Sequence, residues 1–331
     1  VLNKVYSVCV IGGGAAGTMA ALRTVLNNDE CLFFSGTSKD KKKSRAKWVK
    51  KIENMPAHFK YQKGIEEPNQ ETISWILNSQ FSSKLILKEN IGVTSLTKNE
   101  HNQFVIIDSN GASYLAQYVI LCTGVMDIQP EIQGAIKPIF QYANAQMVNY
   151  CLICDGHHVF GKRLAVIGHT TSAAWAAVML VERYEVRDCY LLSNGSHQQF
   201  DDETKKLIKL YDIQVISSPI SSIEGEEKGK LLKGFVFEDD TDIKVDICFV
   251  ALGMIVYNEL AKEVGALTDE RGFVKTQDNG ETTVEGLFVA GDLKANTKKQ
   301  IYTSWDSAVN ASNAINQKLR LEKRKKRLGI I

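Results

Sequence analysis

Apolar positions fall in short runs separated by polar turns, and the runs alternate with stretches of helical periodicity. Val5 to Ile11 is a near-continuous apolar run, the pattern of a strand buried on both faces of a parallel sheet. Gly12-Gly13-Gly14-Ala15-Ala16-Gly17 follows at once, then a helical pattern from Thr18 to Leu26 and a second run, Cys31 to Phe34. This predicts a βαβ unit with G-x-G-x-x-G at its turn. Gly12 permits the tight turn, Gly14 lets a pyrophosphate approach the backbone, and Gly17 packs helix on strand. The anion would meet the helix N-terminus, where free N–H groups and the dipole favour negative charge.

The pattern then repeats. Leu164 to Ala177 aligns with the segment beginning at Val8 at a constant offset of 156, and the run Cys189 to Leu192 again follows the helix. The chain therefore carries two Rossmann-like units. In the second copy Thr170 replaces Gly14 and Ala173 replaces Gly17. Alanine is tolerated at the last position, but a β-branched residue at the second removes the close backbone approach. Ser193 to Gln199, after the second strand, offers neither the acidic ribose ligand of an NAD site nor the arginine of an NADP site. In the first copy Ser35-Gly36 stands at the acidic position. Further strands are expected at Phe104 to Asp108, Tyr118 to Cys122, Gly234 to Phe237 and Ile247 to Ala251, giving a doubly wound α/β fold with an added β layer.

The 331 residues, 24% charged and 44% apolar, suggest two compact units or one large α/β unit and exclude a disordered chain. No apolar stretch approaches the roughly 18 residues of a membrane span. The strand pattern also starts almost at Val1, leaving no room for a signal peptide, so a cytoplasmic location is expected. The net charge of +2 hides two basic blocks: Lys39 to Lys51 holds eight Lys/Arg against Asp40, and Gln317 to Ile331 holds seven against Glu322. Such blocks on an acidic remainder can steer an acidic partner, or form a solvated loop and a frayed tail. Nucleic-acid binding has no supporting fold or interleaved aromatic signal. Seven cysteines, five of them isolated in apolar runs, argue against a secreted disulfide framework. Cys9, Cys31, Cys122, Cys189 and Cys248 read as small buried hydrophobes.

Six motifs in order resemble the low-molecular-weight thioredoxin reductases. They are Gly12-x-Gly14-x-x-Gly17, Ile52-Glu53-Asn54-Met55-Pro56, Cys122-Thr123-Gly124, Cys151-Leu152-Ile153-Cys154-Asp155-Gly156, Ala251-Leu252-Gly253, and Gly286-Leu287-Phe288-Val289-Ala290-Gly291-Asp292. The resemblance implies two Rossmann-like, three-layer ββα domains, the second inserted into the first. Residues 1–125 and 253–331 would form an FAD domain, and 126–252 a nucleotide-type domain carrying the C-x-x-C pair. It also implies a homodimer. Gly12, Gly14, Ala15, Ala16 and Gly17 would hold the FAD pyrophosphate, and Asp292, after Gly291, would hydrogen-bond the ribityl chain. Asn54, Pro56, Thr123, Gly124, Lys299, Gln300 and Ile301 would line the cofactor. Trp305 reads as a core residue or a ring that stacks on a cofactor. Three departures accompany the likeness. Lys41 to Trp48 stands where the family has a Gly-Gly-Gln-Leu segment, the second fingerprint is degenerate at Thr170, and the family's His-Arg-Arg-x-x-x-Arg phosphate clamp is missing.

Cys151 and Cys154 have the spacing of a redox-active pair that exchanges with a partner disulfide. The resemblance implies that Cys154 faces the flavin, Cys151 attacks the partner and Asp155 handles a proton. Zinc is the competing reading, since His157 and His158 follow. Structural zinc favours more widely separated ligand pairs, and adjacent histidines are expected to project apart, so no metal is assigned. His169 and His197 are given no role.

The expected function is an FAD-dependent thiol–disulfide oxidoreductase acting on a thioredoxin-like protein disulfide. Its electrons would come from ferredoxin or a second flavin rather than from conventionally bound NADPH. The alternatives are a conventional NADPH thioredoxin reductase, a dithiol oxidase passing electrons to oxygen, and a flavin-binding sensor without turnover. A ferredoxin–NADP reductase fits less well, because it lacks the cysteine pair and needs the missing clamp.

Overall fold

The computed structural model describes residues 4–330. The outer limits expected for the first domain, residues 1 and 331, and Ile331 of the basic C-terminal block lie outside the described residues. The chain divides into two compact units, one taking the sequence up to Met126 and from Val256 onward, the other Asp127–Ile255.

In the first unit β1 (Val5–Ile11), α1 (Ala15–Leu26) and β2 (Cys31–Phe34) form the βαβ unit. The helix starts earlier than Thr18 because Gly14, extended at φ −78°, is its N-cap. The first basic block folds into two short helices, α2 (Ser38–Lys42) and α3 (Arg45–Trp48), rather than a solvated loop. Thr37 and Asp40 start α2 with a reciprocal capping box: the Asp40 amide donates to Thr37 Oγ1 at 3.1 Å, and the Thr37 amide donates to the Asp40 carboxylate at 2.9 Å. Next come α4 (Glu66–Asn78), β3 (Leu85–Lys88), β4 (Val93–Lys98), β5 (Phe104–Asp108), β6 (Ser113–Leu121) and β7 (Val125–Asp127), where the chain leaves the unit. Strand β6 is longer than the expected Tyr118–Cys122 because its N-terminal half pairs antiparallel with β5.

The second unit opens with α5 (Lys137–Asn144), β8 (Val148–Asn149) and α6 (Leu152–Asp155). The second βαβ follows as β9 (Leu164–Ile167), α7 (Thr171–Arg183) and β10 (Cys189–Leu192). Then come α8 (Asp202–Leu210), β11 (Gln214–Ile216), an antiparallel layer of β12 (Ile220–Gly225), β13 (Leu232–Phe237) and β14 (Asp242–Lys244), then β15 (Ile247–Val250) and β16 (Met254–Val256). The main sheet, in the order β11-β10-β9-β15-β8, is parallel throughout.

Back in the first unit, α9 (Glu259–Glu263), β17 (Leu287–Val289) and α10 (Ile301–Arg327) complete the fold. The sheet runs β3-β2-β1-β6-β5-β4, with β17 parallel to β6. Phe33, Phe34, Phe104 and Phe288 are fully buried in it, each contributing about 1.5–3 kcal/mol by burial. The two repeats superpose in their hydrogen bonds. Gly12 N donates to Phe34 O and Gly168 N to Leu192 O, both at 2.9 Å, while Cys122 N to Ile11 O matches Ala251 N to Ile167 O, both at 2.8 Å.

The C-terminal block is not a frayed tail, since α10 continues to Arg327. Ser304, Ser307, Ala308, Ala311, Ser312 and Ile315 form its buried stripe. Arg320 pairs with Asp29, Lys318 Nζ reaches Glu281 at 2.8 Å, and Tyr118 Oη donates to Glu322 at 2.7 Å. Beyond these pins, Arg324 to Arg327 occupy the last turn, where the helix dipole favours cations.

Candidate active site

The β1–α1 turn is built around two close approaches. Gly12 sits at φ +116°, where a Cβ would lie 2.3 Å from Cys122 O, and a Cβ on Gly17 would lie 1.7 Å from Gly12 O. Gly14 differs, because a Cβ there would meet nothing within 4 Å. Its open edge leads onto the first turn of α1, where the amides of Ala15, Ala16 and Gly17 have no acceptor among the described residues. Three convergent donors at a helix N-terminus beside a glycine form an anion cradle.

Some of the other cofactor candidates of this unit lie beside it. A Cβ on Gly291 would lie 2.7 Å from Ala16 Cβ, which brings Asp292 to the start of α1. Gly291 N donates to Ser307 Oγ at 2.9 Å, and Ser304 Oγ donates to Asp292 Oδ1 at 3.4 Å. Asn54 Nδ2 donates to Gln300 Oε1 at 2.8 Å, and Gln300 N-caps α10. Ala15, Ile301 and Trp305 pack on the apolar cluster of Ile52, Met55 and Ile65, with His58 tilted against Trp305 at 5.7 Å. Thr123 lies against Gly12 and donates its hydroxyl to Tyr257 O at 2.6 Å, and Gly124 O accepts from Tyr257 N at 3.2 Å. Pro56 is exposed, its carbonyl 3.0 Å from His58 Nδ1. Lys299 turns inward, donating to Lys294 O at 2.6 Å with its ammonium 3.9 Å from the Phe273 ring centre. Burial lowers its pKa to about 8; Asp292 opposes that shift and Arg271 adds to it.

Sequence reasoning missed Arg45, whose guanidinium lies 3.8 Å from the Asp292 carboxylate. The signal was present in the basic segment standing where the family has glycines. Ser304 and Ser307 were also missed; their three-residue spacing on α10 is the trace they leave.

In the second unit Cys151 and Cys154 form a disulfide, with Cα atoms 5.2 Å apart. Cys151 N-caps α6, its Sγ accepting the Cys154 amide at 3.1 Å. Asp155 closes the same turn. His157 and His158 do not project apart: in the tight 3₁₀ turn after α6 their rings meet edge to face, centroids 4.3 Å apart. The other five cysteines are buried free thiols. Burial raises the pKa of each, that of Cys189 to about 12, whereas Cys151 and Cys154 are joined to each other.

The second fingerprint is closed where the first is open. The Thr171 amide donates to Gln199 O at 2.9 Å, Gln199 N donates to His169 O at 2.7 Å, and Ala173 N folds back on Thr170 O at 2.9 Å. Asp201, its carboxylate capping α8, donates its own amide to Thr171 Oγ1 at 3.0 Å. The segment after β10 thus lies across the start of α7 and uses one donor that a phosphate would need, the Thr171 amide.

Comparison with known proteins agrees with this architecture. Residues 6–314 match the model of the pyridine nucleotide-disulphide oxidoreductase family. The chain is 25% identical over 330 residues to a thioredoxin reductase of Bacillus subtilis, covering 95% of this chain and 94% of that one. It is 28% identical over 316 residues to an alkyl hydroperoxide reductase protein of Xanthomonas campestris pv. phaseoli, covering 90% of this chain but only 54% of that longer protein. A thioredoxin reductase structure from Streptococcus pyogenes shares the fold with a TM-score of 0.81 at 21% identity, covering 96% of this chain and 99% of its own. The chain is thus a thioredoxin-reductase-like member of the pyridine nucleotide-disulphide oxidoreductase family.

Proposed function

We propose that the protein passes two electrons between FAD, held by the first unit, and a thioredoxin-like protein disulfide through Cys151 and Cys154, with a donor other than conventionally bound NADPH. The observation that carries the donor reading is the bond from the Thr171 amide to Gln199 O. It stands where the first repeat keeps the Ala15 amide open, and Thr170 adds a side chain where the first repeat has Gly14.

The residues of the first unit fit FAD: an open glycine edge, three unpaired amides for the diphosphate, and the Asp292 carboxylate within reach of the same turn. When bound, FAD supplies a two-electron store. The chain's own residues do the exchange. The Cys151 thiolate attacks one sulfur of the partner disulfide, forming a mixed disulfide and expelling a partner thiolate, which Asp155 protonates. The Cys154 thiolate then attacks Cys151 Sγ, expelling the second partner sulfur as a thiolate that takes a proton from solvent, and restoring the Cys151–Cys154 bond. One dithiol is oxidised and one disulfide reduced.

Two electron entries suit the closed second fingerprint. Ferredoxin, as an acidic carrier, would be drawn to the basic helices α2 and α3. A second flavin in the nucleotide-type unit would find His169 Nδ1 and Ser193 Oγ, buried polar atoms without a hydrogen-bond partner among the described residues. The test is a steady-state assay of thioredoxin dithiol formation with reduced ferredoxin, NADPH or NADH. Turnover with ferredoxin alone supports the proposal. Turnover with NADPH at a micromolar KM makes the protein a conventional reductase, and stoichiometric peroxide from added dithiol makes it an oxidase.

A further inference from the structure

The segment that departs most from the family carries a residue into the cofactor site. Arg45 Nη1 lies 3.8 Å from Asp292 Oδ2, with side chains only 16% and 20% exposed. The opposite carboxylate oxygen, Oδ1, accepts from Ser304 Oγ. Asp292 is therefore gripped from both sides, by a cation from α3 and a hydroxyl from α10. Helix α3 is itself anchored: Trp48 Nε1 donates to Lys42 O at 2.7 Å, Tyr257 Oη donates to Lys43 O at 3.0 Å, and Ala46 packs on the Ile52–Met55–Ile65 cluster. Lys299, the other nearby cation, spends its ammonium on Lys294 O. Arg45 is a direct charge partner of Asp292 in this geometry.

A carboxylate that accepts a hydrogen bond from a sugar hydroxyl must be ionised and fixed in one rotamer. A partly shielded guanidinium secures both, favouring the charged form and holding it in a geometry that a fully exposed pair would not keep. We propose that Arg45 is a positioning residue for FAD that acts through Asp292. The inference rests on the proposed binding of FAD by the first unit.

The test is a double-mutant cycle read as the FAD dissociation constant of the apoprotein, measured by flavin fluorescence, with circular dichroism checking the fold. Arg45→Gln should weaken FAD binding about tenfold, and Arg45→Lys, which keeps the charge, should restore it to within about threefold. In the Asp292→Asn background Arg45→Gln should cost little, because the group it acts through is gone. Unchanged affinity in Arg45→Gln overturns the inference. So does an equal loss in both backgrounds, which would mean that Arg45 touches the cofactor directly, or no rescue by Arg45→Lys in a folded protein. Wild-type protein that binds no FAD instead refutes the underlying cofactor reading.

Discussion

Thr171 and Ala15 occupy equivalent positions 156 residues apart, and their amides differ in one respect: Thr171 donates to Gln199 O at 2.9 Å, whereas Ala15 has no acceptor among the described residues. One fold has thus been used twice, once with all three first-turn amides open and once with the first of them taken by its own chain. Ala173 in place of Gly17 fits the same trend, since its methyl lies where a Cβ on Gly168 would approach to 2.4 Å.

The open cradle separates stability from binding. A Cβ at Gly17 collides with Gly12 O, whereas one at Gly14 meets open space. We expect Gly17→Ala to destabilise the protein by about 2–4 kcal/mol. Gly14→Val should leave the melting temperature within a few degrees of wild type and still abolish FAD retention. Thermal unfolding and flavin stoichiometry of the two variants check this.

The thiol pair should be separable from the cofactor. Cys151→Ser and Cys154→Ser are each expected to lower disulfide reduction by roughly three orders of magnitude while the purified proteins keep a full complement of flavin, because the residues proposed to hold it belong to the first unit. Alkylation after rapid mixing with a partner disulfide should trap a mixed disulfide in Cys154→Ser but not in Cys151→Ser.

Burial depresses Lys299, so the folded apoprotein holds this proton less tightly than the unfolded chain does. Below about pH 8 both states are protonated and the cost of a buried ammonium is fully present. As pH rises toward the ordinary lysine pKa of roughly 10.4, the unfolded state binds more protons and that cost is progressively lost. The gain in melting temperature of Lys299→Met over wild type should therefore be largest below pH 8 and shrink toward pH 10.5. A gain that does not vary with pH would show that the ammonium is not the cause.

If α2 and α3 receive an acidic carrier, reversing Lys42 and Lys43 to Glu should raise the KM for reduced ferredoxin about tenfold at low salt with little change in kcat, and the difference should fade as salt screens the charges. Both residues are exposed, so the fold should tolerate the change. Equal KM values at low salt would remove this face as the docking surface.

Much of the framework can be read locally. The apolar run into Gly12, the repeat at Gly168 and the C-x-x-C at Cys151 each depend on a few adjacent residues, and the structure places them in strand, turn and short helix. The site details depend on contacts between distant residues, which no local pattern encodes. Arg45 and Asp292 are far apart in sequence, and Gln199 reaches Thr171 only because the segment after β10 turns back. The extension of α10 hangs on Asp29, Glu281 and Tyr118, each remote from the basic block it steadies. The edge-to-face meeting of His157 and His158 follows from a 3₁₀ turn that the sequence does not announce.

The most direct test is an anaerobic absorbance titration of the purified flavoprotein with NADPH, then NADH, then reduced ferredoxin, in the presence of oxidised thioredoxin. We expect the flavin band to resist both nicotinamides, to bleach with ferredoxin and to recover as thioredoxin is reduced. Bleaching by NADPH within the mixing time would contradict this, and would mean that the Thr171–Gln199 closure opens to admit the nucleotide.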